Sequence, residues 1–494
     1  MALTPRMNPY LRLLFRLYEA LVLLSIIRPV GGPHVVSQLG NYTLQDIRRR
    51  FFKNLAFLCD YKKGGSSTTA IGVEDSIDCY IFWVASNEGA GDRVVHFLKE
   101  TLEKLQKFVE RVDDRAAAED GLVAWCTAFA SERIKQEARI LRNSATKCQN
   151  SPKGSDEEAG ALCRAAYRSR NDDEMRRIEQ LGQESEDVLH PAPVTAAYRA
   201  VRHMVGRLAA RIRSVNQLLD DASRMETFLE TYQVRAVERP ISAEVPAADA
   251  HTTLPRILNR IIPDTDAQYE SHLGFLQRVD SQVQIESKLQ AKFQVGGLQT
   301  CVHAEIQMLH HFWDSGCRYV SNDRYIACSK PACIGCESYV RHHPARATLL
   351  DNHQNVYANW GVVSLLGGTG NDGWKNQRKI INNVIGDLKA MVVEQLEELQ
   401  TTTIKHPDSL TGITASLVDI GDDSGSDTEE ADGSQAGPSS EVFGLDSAIG
   451  LLNLQHDTIG GHPQESEDDR QLENDDKVNG DDEAENDEGG GVQI

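Results

Sequence analysis

No run in this 494-residue chain is apolar enough to cross a membrane. The best candidate, residues 10–27, is interrupted by Arg12, Arg16 and Glu19, whereas a span needs about 20 predominantly apolar residues. Leu11, Leu14 and Tyr18 fall at helical spacing instead. That spacing predicts an amphipathic helix packed on its own protein, with a membrane surface as the lesser alternative. The segment also lacks the charged head and cleavage site of a secretory signal. A disulfide framework is missing too, because the ten cysteines are scattered and only one pair is tightly spaced. These absences predict an intracellular protein, cytoplasmic or nuclear, in a compartment that keeps thiolates reduced.

Basic residues are in deficit: 52 Lys and Arg stand against 73 Asp and Glu, for a net charge of −21. The deficit is local. From Gly421 onward, 22 acidic side chains meet two basic ones, Arg470 and Lys477. All but one unit of the net charge therefore lies in that tail, and the near-neutral body does not exclude a nucleic-acid substrate. Aromatics make up only 6%, and no basic and aromatic stripe is dense enough to name a polymer. Arg48, Arg49, Arg50 and Lys53 form a small basic cluster, expected to be a solvated helix face.

Against this background one pattern stands out. His303-Ala304-Glu305 is followed, 30 residues after the histidine, by Cys333-Ile334-Gly335-Cys336. One imidazole and two thiolates suit Zn²⁺ and leave a tetrahedral position open, which is the arrangement of catalytic rather than structural sites. Glu305 is not needed as a ligand and is free to act as general acid and base. Two other readings stay open. Cys301 and Cys328 lie close in sequence, so a closed site of Cys328, Cys333, Cys336 and His303 would only staple the fold. A redox CxxC pair is the third possibility, with no thioredoxin-like context to support it. His310, His311, His342, His343 and His353 are expected at the surface or in packing, and Cys317 as a small buried hydrophobe.

The stretch from Cys301 to Leu309, with Cys328 to Cys336, resembles the cytidine-deaminase-like superfamily of zinc-dependent nucleobase deaminases, in a branch expanded in fungi. The resemblance implies that His303, Cys333 and Cys336 hold Zn²⁺ and that Glu305 shuttles the proton. It implies hydrolytic deamination of a cytosine- or adenine-type base, free, in a nucleoside or nucleotide, or in nucleic acid. The alternative is a non-catalytic, zinc-stabilised interaction protein derived from such a fold. The implied fold is a three-layer α/β/α domain in the C-terminal half. One departure matters: Ala332 separates Pro331 from Cys333, which shifts the loop that enters the second helix. Tyr325, Trp313 and Trp360 are candidates to stack on the base.

Helical spacing after Glu305 (Ile306, Leu309, Phe312) places His303 and Glu305 in the first turn of a helix, and a second helix is expected from Cys336. Both metal-bearing segments would then be helix N-termini, which favour thiolate over thiol. Composition divides the chain as follows. Residues 1–143 read as an α/β module, 144–194 as a polar linker or insertion, and 195–238 as a long helix. Residues 239–254 read as a linker, 255–401 as the deaminase-like zinc domain, and 402–494 as a disordered acidic tail. Strands are expected at 55–59, 68–73, 77–84, 293–295, 325–327, 347–350 and 356–366, and a helix from Val94 to Val112. Within the tail, the apolar island from Val442 to Leu454 is a candidate docking helix for a protein partner.

Overall fold

The computed structural model describes residues 8–28, 35–37, 39–40, 42–147, 159–183, 192–294 and 296–405. The tail beyond them, with the island from Val442 to Leu454, lies outside the described residues. At the centre is a hairpin. Strand β1 (Thr69–Asp75) pairs antiparallel with β2 (Tyr80–Ser86). The alternation of β-branched and aromatic residues with small ones gives each strand two distinct faces. Ile71 lies opposite Val84 and Val73 opposite Phe82 on one face, while Ala70 lies opposite Ala85 and Gly72 opposite Trp83 on the other. Strand β3 (Tyr232–Ala236) adds parallel to β2, and the two-residue β4 (Ala327–Cys328) adds antiparallel to β1. The order is β3-β2-β1-β4.

Each face has its own core. Ile71, Val73, Phe82 and Val84 pack with helices Leu44–Cys59, Asp92–Val109 and Ala192–Ala222. Ala70 and Ala85 pack with helices Pro9–Ile27, Ala304–Asp314, Ile334–His342 and Trp374–Lys405. The result is a helix-rich α/β fold with helices on both sides of a small mixed sheet. Strands β1 and β2 come from the N-terminal segment and β4 from the segment that carries the CxxC pair. One sheet therefore joins regions far apart in sequence.

Several expectations need correction. Residues 55–59 are not a strand but the end of helix Leu44–Cys59. Phe51, Phe52, Leu55, Leu58 and Cys59 are all buried, so the 3.6-residue period outweighs the local β-favouring composition. Within residues 144–194, helices Ala159–Ser169 and Asp173–Gln183 pack against Ala192–Ala222. Of the expected strand at 293–295, Phe293 is the C-cap of helix Ile285–Lys292, and residue 295 lies outside the described residues. Segments 347–350 and 356–366 make only isolated bridges, such as Tyr325 with Thr348 and Cys301 with Trp360.

The basic cluster is not a solvated face either. Arg48 and Arg49 both reach Asp323 (3.2 and 2.6 Å), Arg50 reaches Asp221 (2.5 Å) and Lys53 reaches Asp351 (2.5 Å). Arg48, Arg49 and Lys53 thus pin helix Leu44–Cys59 to loops that precede and follow the CxxC segment, and Arg50 pins it to helix Ala192–Ala222. The first helix does pack on its own protein. Its residues from Leu13 to Leu24 are almost all buried, and Glu19, 2% exposed, is held by Arg260 Nε at 2.7 Å.

The sheet admits the His303 helix closely because position 72 has no side chain. A Cβ on Gly72 would lie 2.6 Å from Phe312 Cε2 and 2.8 Å from Met308 Sδ. We therefore expect Gly72→Ala to cost about 1–3 kcal/mol by overpacking, read as a lower unfolding free energy in urea. Unchanged stability would show that this helix does not bear on β1.

Candidate active site and metal centre

Two helix N-termini meet at one point. His303 is the residue before helix Ala304–Asp314, in an extended conformation (φ −66°, ψ 153°), and its side chain caps nothing. The capping role passes to Asn87, just beyond β2: the Ala304 amide donates to Asn87 Oδ1 at 2.8 Å. The Asn87 side chain is itself anchored on the Gly65 carbonyl at 2.8 Å. The His303 imidazole is thereby left to face the cysteines. Gln307, one turn on, donates to the carbonyls of Ser86 (2.9 Å) and Val302 (2.7 Å), a second tie to β2.

Cys333 caps the other helix, Ile334–His342. Its sulfur accepts from the Cys336 amide at 3.5 Å. His303 Nδ1 lies 3.6 Å from Cys333 Sγ and 3.4 Å from Cys336 Sγ. The three donor atoms lie within 4.8 Å of one another, and all three residues are buried. Among the described residues this is the one such cluster of His, Cys, Asp or Glu. Metal–sulfur bonds of about 2.3 Å and a metal–nitrogen bond of about 2.0 Å, set tetrahedrally, imply nitrogen–sulfur separations of about 3.5 Å. The residues present fit a zinc ion on distance as well as on chemistry. Cys301, Cys328 and the histidines at 310, 311, 342, 343 and 353 do not join the cluster, so a fourth ligand is not offered by those residues.

The titratable groups of the cluster shift one another. Burial resists ionisation of Cys333, but hydrogen bonding from Cys336 and the charge of His303 hold its thiol well below the usual range. Burial and the neighbouring Cys333 push Cys336 well above it. His303 is raised because Cys333 and Glu305 outweigh a burial effect in the opposite direction. Burial also pushes the Glu305 carboxyl up, although His303 opposes the shift. Glu305 is 4% exposed and its Oε2 has no hydrogen-bond partner in the protein. A buried, unpaired carboxylate oxygen is costly unless something else engages it.

Residues 302–364 match the family model described as OTT_1508-like deaminase. This segment is therefore similar to a deaminase family, and the match covers a small part of the chain. No curated protein and no solved structure matches the chain. The deaminase-like segment contains His303, Glu305, Cys333 and Cys336 but not β1 or β2, which support its first helix. Its departure at Ala332 is absorbed by backbone pairing: the Ala332 amide donates to Asp351 O (2.8 Å) and the His353 amide to Ala332 O (3.1 Å).

The aromatic candidates separate clearly. Trp360 is fully buried, and its indole N–H donates to Cys336 Sγ at 3.2 Å. It supports a ligand rather than a base. Trp313 stands edge-on to His343, and Tyr325 is buried under Arg49. The aromatic that does approach the cluster is Tyr357, 39% exposed, with its ring 5.9 Å from that of His303. Sequence reasoning missed it, because nothing in its local pattern distinguishes it from the other tyrosines.

Gly335 is required inside the CxxC turn, since a Cβ there would lie 2.6 Å from the Trp360 ring. Trp360→Phe keeps an aromatic side chain but removes the N–H together with the five-membered ring that carries it. We expect it to weaken metal binding about 10- to 100-fold, as loss of a partner to a ligand does, with circular dichroism unchanged. Full retention of affinity in a competitive chelator titration would contradict the role given to this hydrogen bond.

Proposed function

We propose that the protein is a zinc-dependent hydrolytic deaminase acting on a cytosine- or adenine-type base. The observation that carries the reading is Glu305: buried, with an unpartnered Oε2, in the first helical turn beside the His303, Cys333 and Cys336 cluster, inside the deaminase-like segment. Zinc, when bound by these three side chains, would supply a Lewis acid that lowers the pKa of water.

The chain's own residues do the rest. Glu305 takes a proton from the attacking water at its free oxygen, passes it to the ring nitrogen next to the amine-bearing carbon, and assists departure of ammonia. Burial raises the pKa of Glu305, although His303 opposes the shift. Asn87 and Gln307 fix the helix that presents it. Trp360 and the helix dipole support the ligand sulfurs, and their burial excludes bulk water.

Purified protein should contain about one zinc per chain. Glu305→Ala should retain that zinc and release no ammonia from a panel of cytosine- and adenine-bearing substrates on which the parent is active. An equally active Glu305→Ala would exclude the mechanism. If the parent releases no ammonia from the whole panel while Cys333→Ser unfolds the domain, the metal serves as a structural staple instead.

A further inference from the structure

A cavity of about 550 Å³ lies against the chain segments that precede His303 and Trp360, within the size range of small-ligand sites. Two of its walls are segments that lead toward the cluster. One is 297–299, which leads through Cys301 to His303. The other is 356–359, which leads to Trp360. The two are joined where the Cys301 amide donates to Asn359 O (2.8 Å) and the Gly361 amide to Cys301 O (2.8 Å). Tyr357 belongs to both places, lining the cavity while its ring lies 5.9 Å from His303.

The remaining walls are the end of helix Pro9–Ile27, with Ser25 and Ile26, and helix Ile285–Lys292, which contributes Lys288 and Lys292. One turn apart, they share a face of that helix. Both are exposed, and neither forms an ion pair among the described residues. Two like charges at this spacing repel one another, which makes the spot favourable for an anion. The cavity thus has an aromatic ring at the end near the metal cluster and two unneutralised ammonium groups on its rim.

We propose that this groove binds the phosphoryl group of a nucleotide-type substrate, with Lys288 and Lys292 as its ligands and Tyr357 between that group and the reacting base. The proposal rests on the deaminase reading for the identity of the base. It selects phosphate-bearing substrates over free bases and nucleosides. The phosphoryl group can come from a mononucleotide or from a single-stranded polynucleotide, and both present the same chemistry to the lysines.

Equilibrium binding tests this without relying on turnover. The probes are cytidine and adenosine, their monophosphates, and short single-stranded DNA and RNA, with the full-length chain as purified. The parent should bind a monophosphate more tightly than its nucleoside. Lys288→Ala/Lys292→Ala should weaken monophosphate binding roughly tenfold or more and leave nucleoside binding unchanged. Lys292 also sits in the last helical turn, where a cation is favourable, so the readout is discrimination between ligands rather than stability. Oligonucleotides that bind more tightly than the monophosphate, with steep salt dependence, would identify the polymer as the source. Equal binding of nucleoside and nucleotide by the parent, or equal losses for both in the variant, overturns the proposal. Lysine-dependent phosphate binding without any ammonia release would leave this site standing and sink the deaminase reading alone.

Discussion

The hydrogen bond from the Ala304 amide to Asn87 Oδ1 ties the start of the His303 helix to the end of β2. A helix begins with amides that need acceptors. Here the acceptor comes from more than 200 residues earlier in the chain. Because Asn87 supplies the cap, His303 is spared that task and can turn its imidazole to the cysteines. Gln307 repeats the tie on Ser86, and Gly72 lets the helix lie close on the sheet. The placement of the first ligand and of Glu305 thus depends on a hairpin remote from both in sequence.

The second ligand-bearing segment is held from the opposite side of the sheet. Lys330, three residues before Cys333, approaches the fully buried Asp60 at 3.7 Å and donates to Gly64 O. Asp60 also pairs with Arg133 at 2.8 Å and accepts from Ser67 at 2.5 Å. Burial opposes the Asp60 charge, but Arg133 and Lys330 overcome it and hold the carboxyl below its ordinary range. A buried pair of this kind adds little net stability over an apolar replacement, yet removing one partner is costly. Its effect here is to fix position: the loop after helix Leu44–Cys59 and the loop entering the CxxC turn meet on the same carboxylate.

What the sequence made legible was whatever chemistry keeps local. His303 and Glu305 lie two residues apart and Cys333 and Cys336 three apart, so their spacing alone suggests a candidate ligand set, and the structure brings His303, Cys333 and Cys336 together. The apolar, aromatic-rich runs that become β1 and β2 were equally readable as strands. Contacts over long separations were not readable. Asn87 as a cap, the meeting of β1 with β4, and the pairing of Arg48 and Arg49 with Asp323 all depend on tertiary placement. Residues 55–59 misled because a buried helix and a buried strand share a composition, and only the period over the whole of Leu44–Cys59 separates them. Tyr357 was invisible for a related reason: what sets it apart is the histidine ring beside it, not its neighbours in sequence.

The central claim is that three side chains, and no fourth, offer a metal its ligands while Glu305 stays outside the coordination shell. X-ray absorption at the zinc edge of the purified protein measures this directly. The account predicts two sulfur ligands at about 2.3 Å, one imidazole, and one further light-atom ligand from water at about 2.0 Å, unchanged in Glu305→Gln. A third sulfur, a second imidazole, or loss of the light-atom ligand in that variant would contradict it.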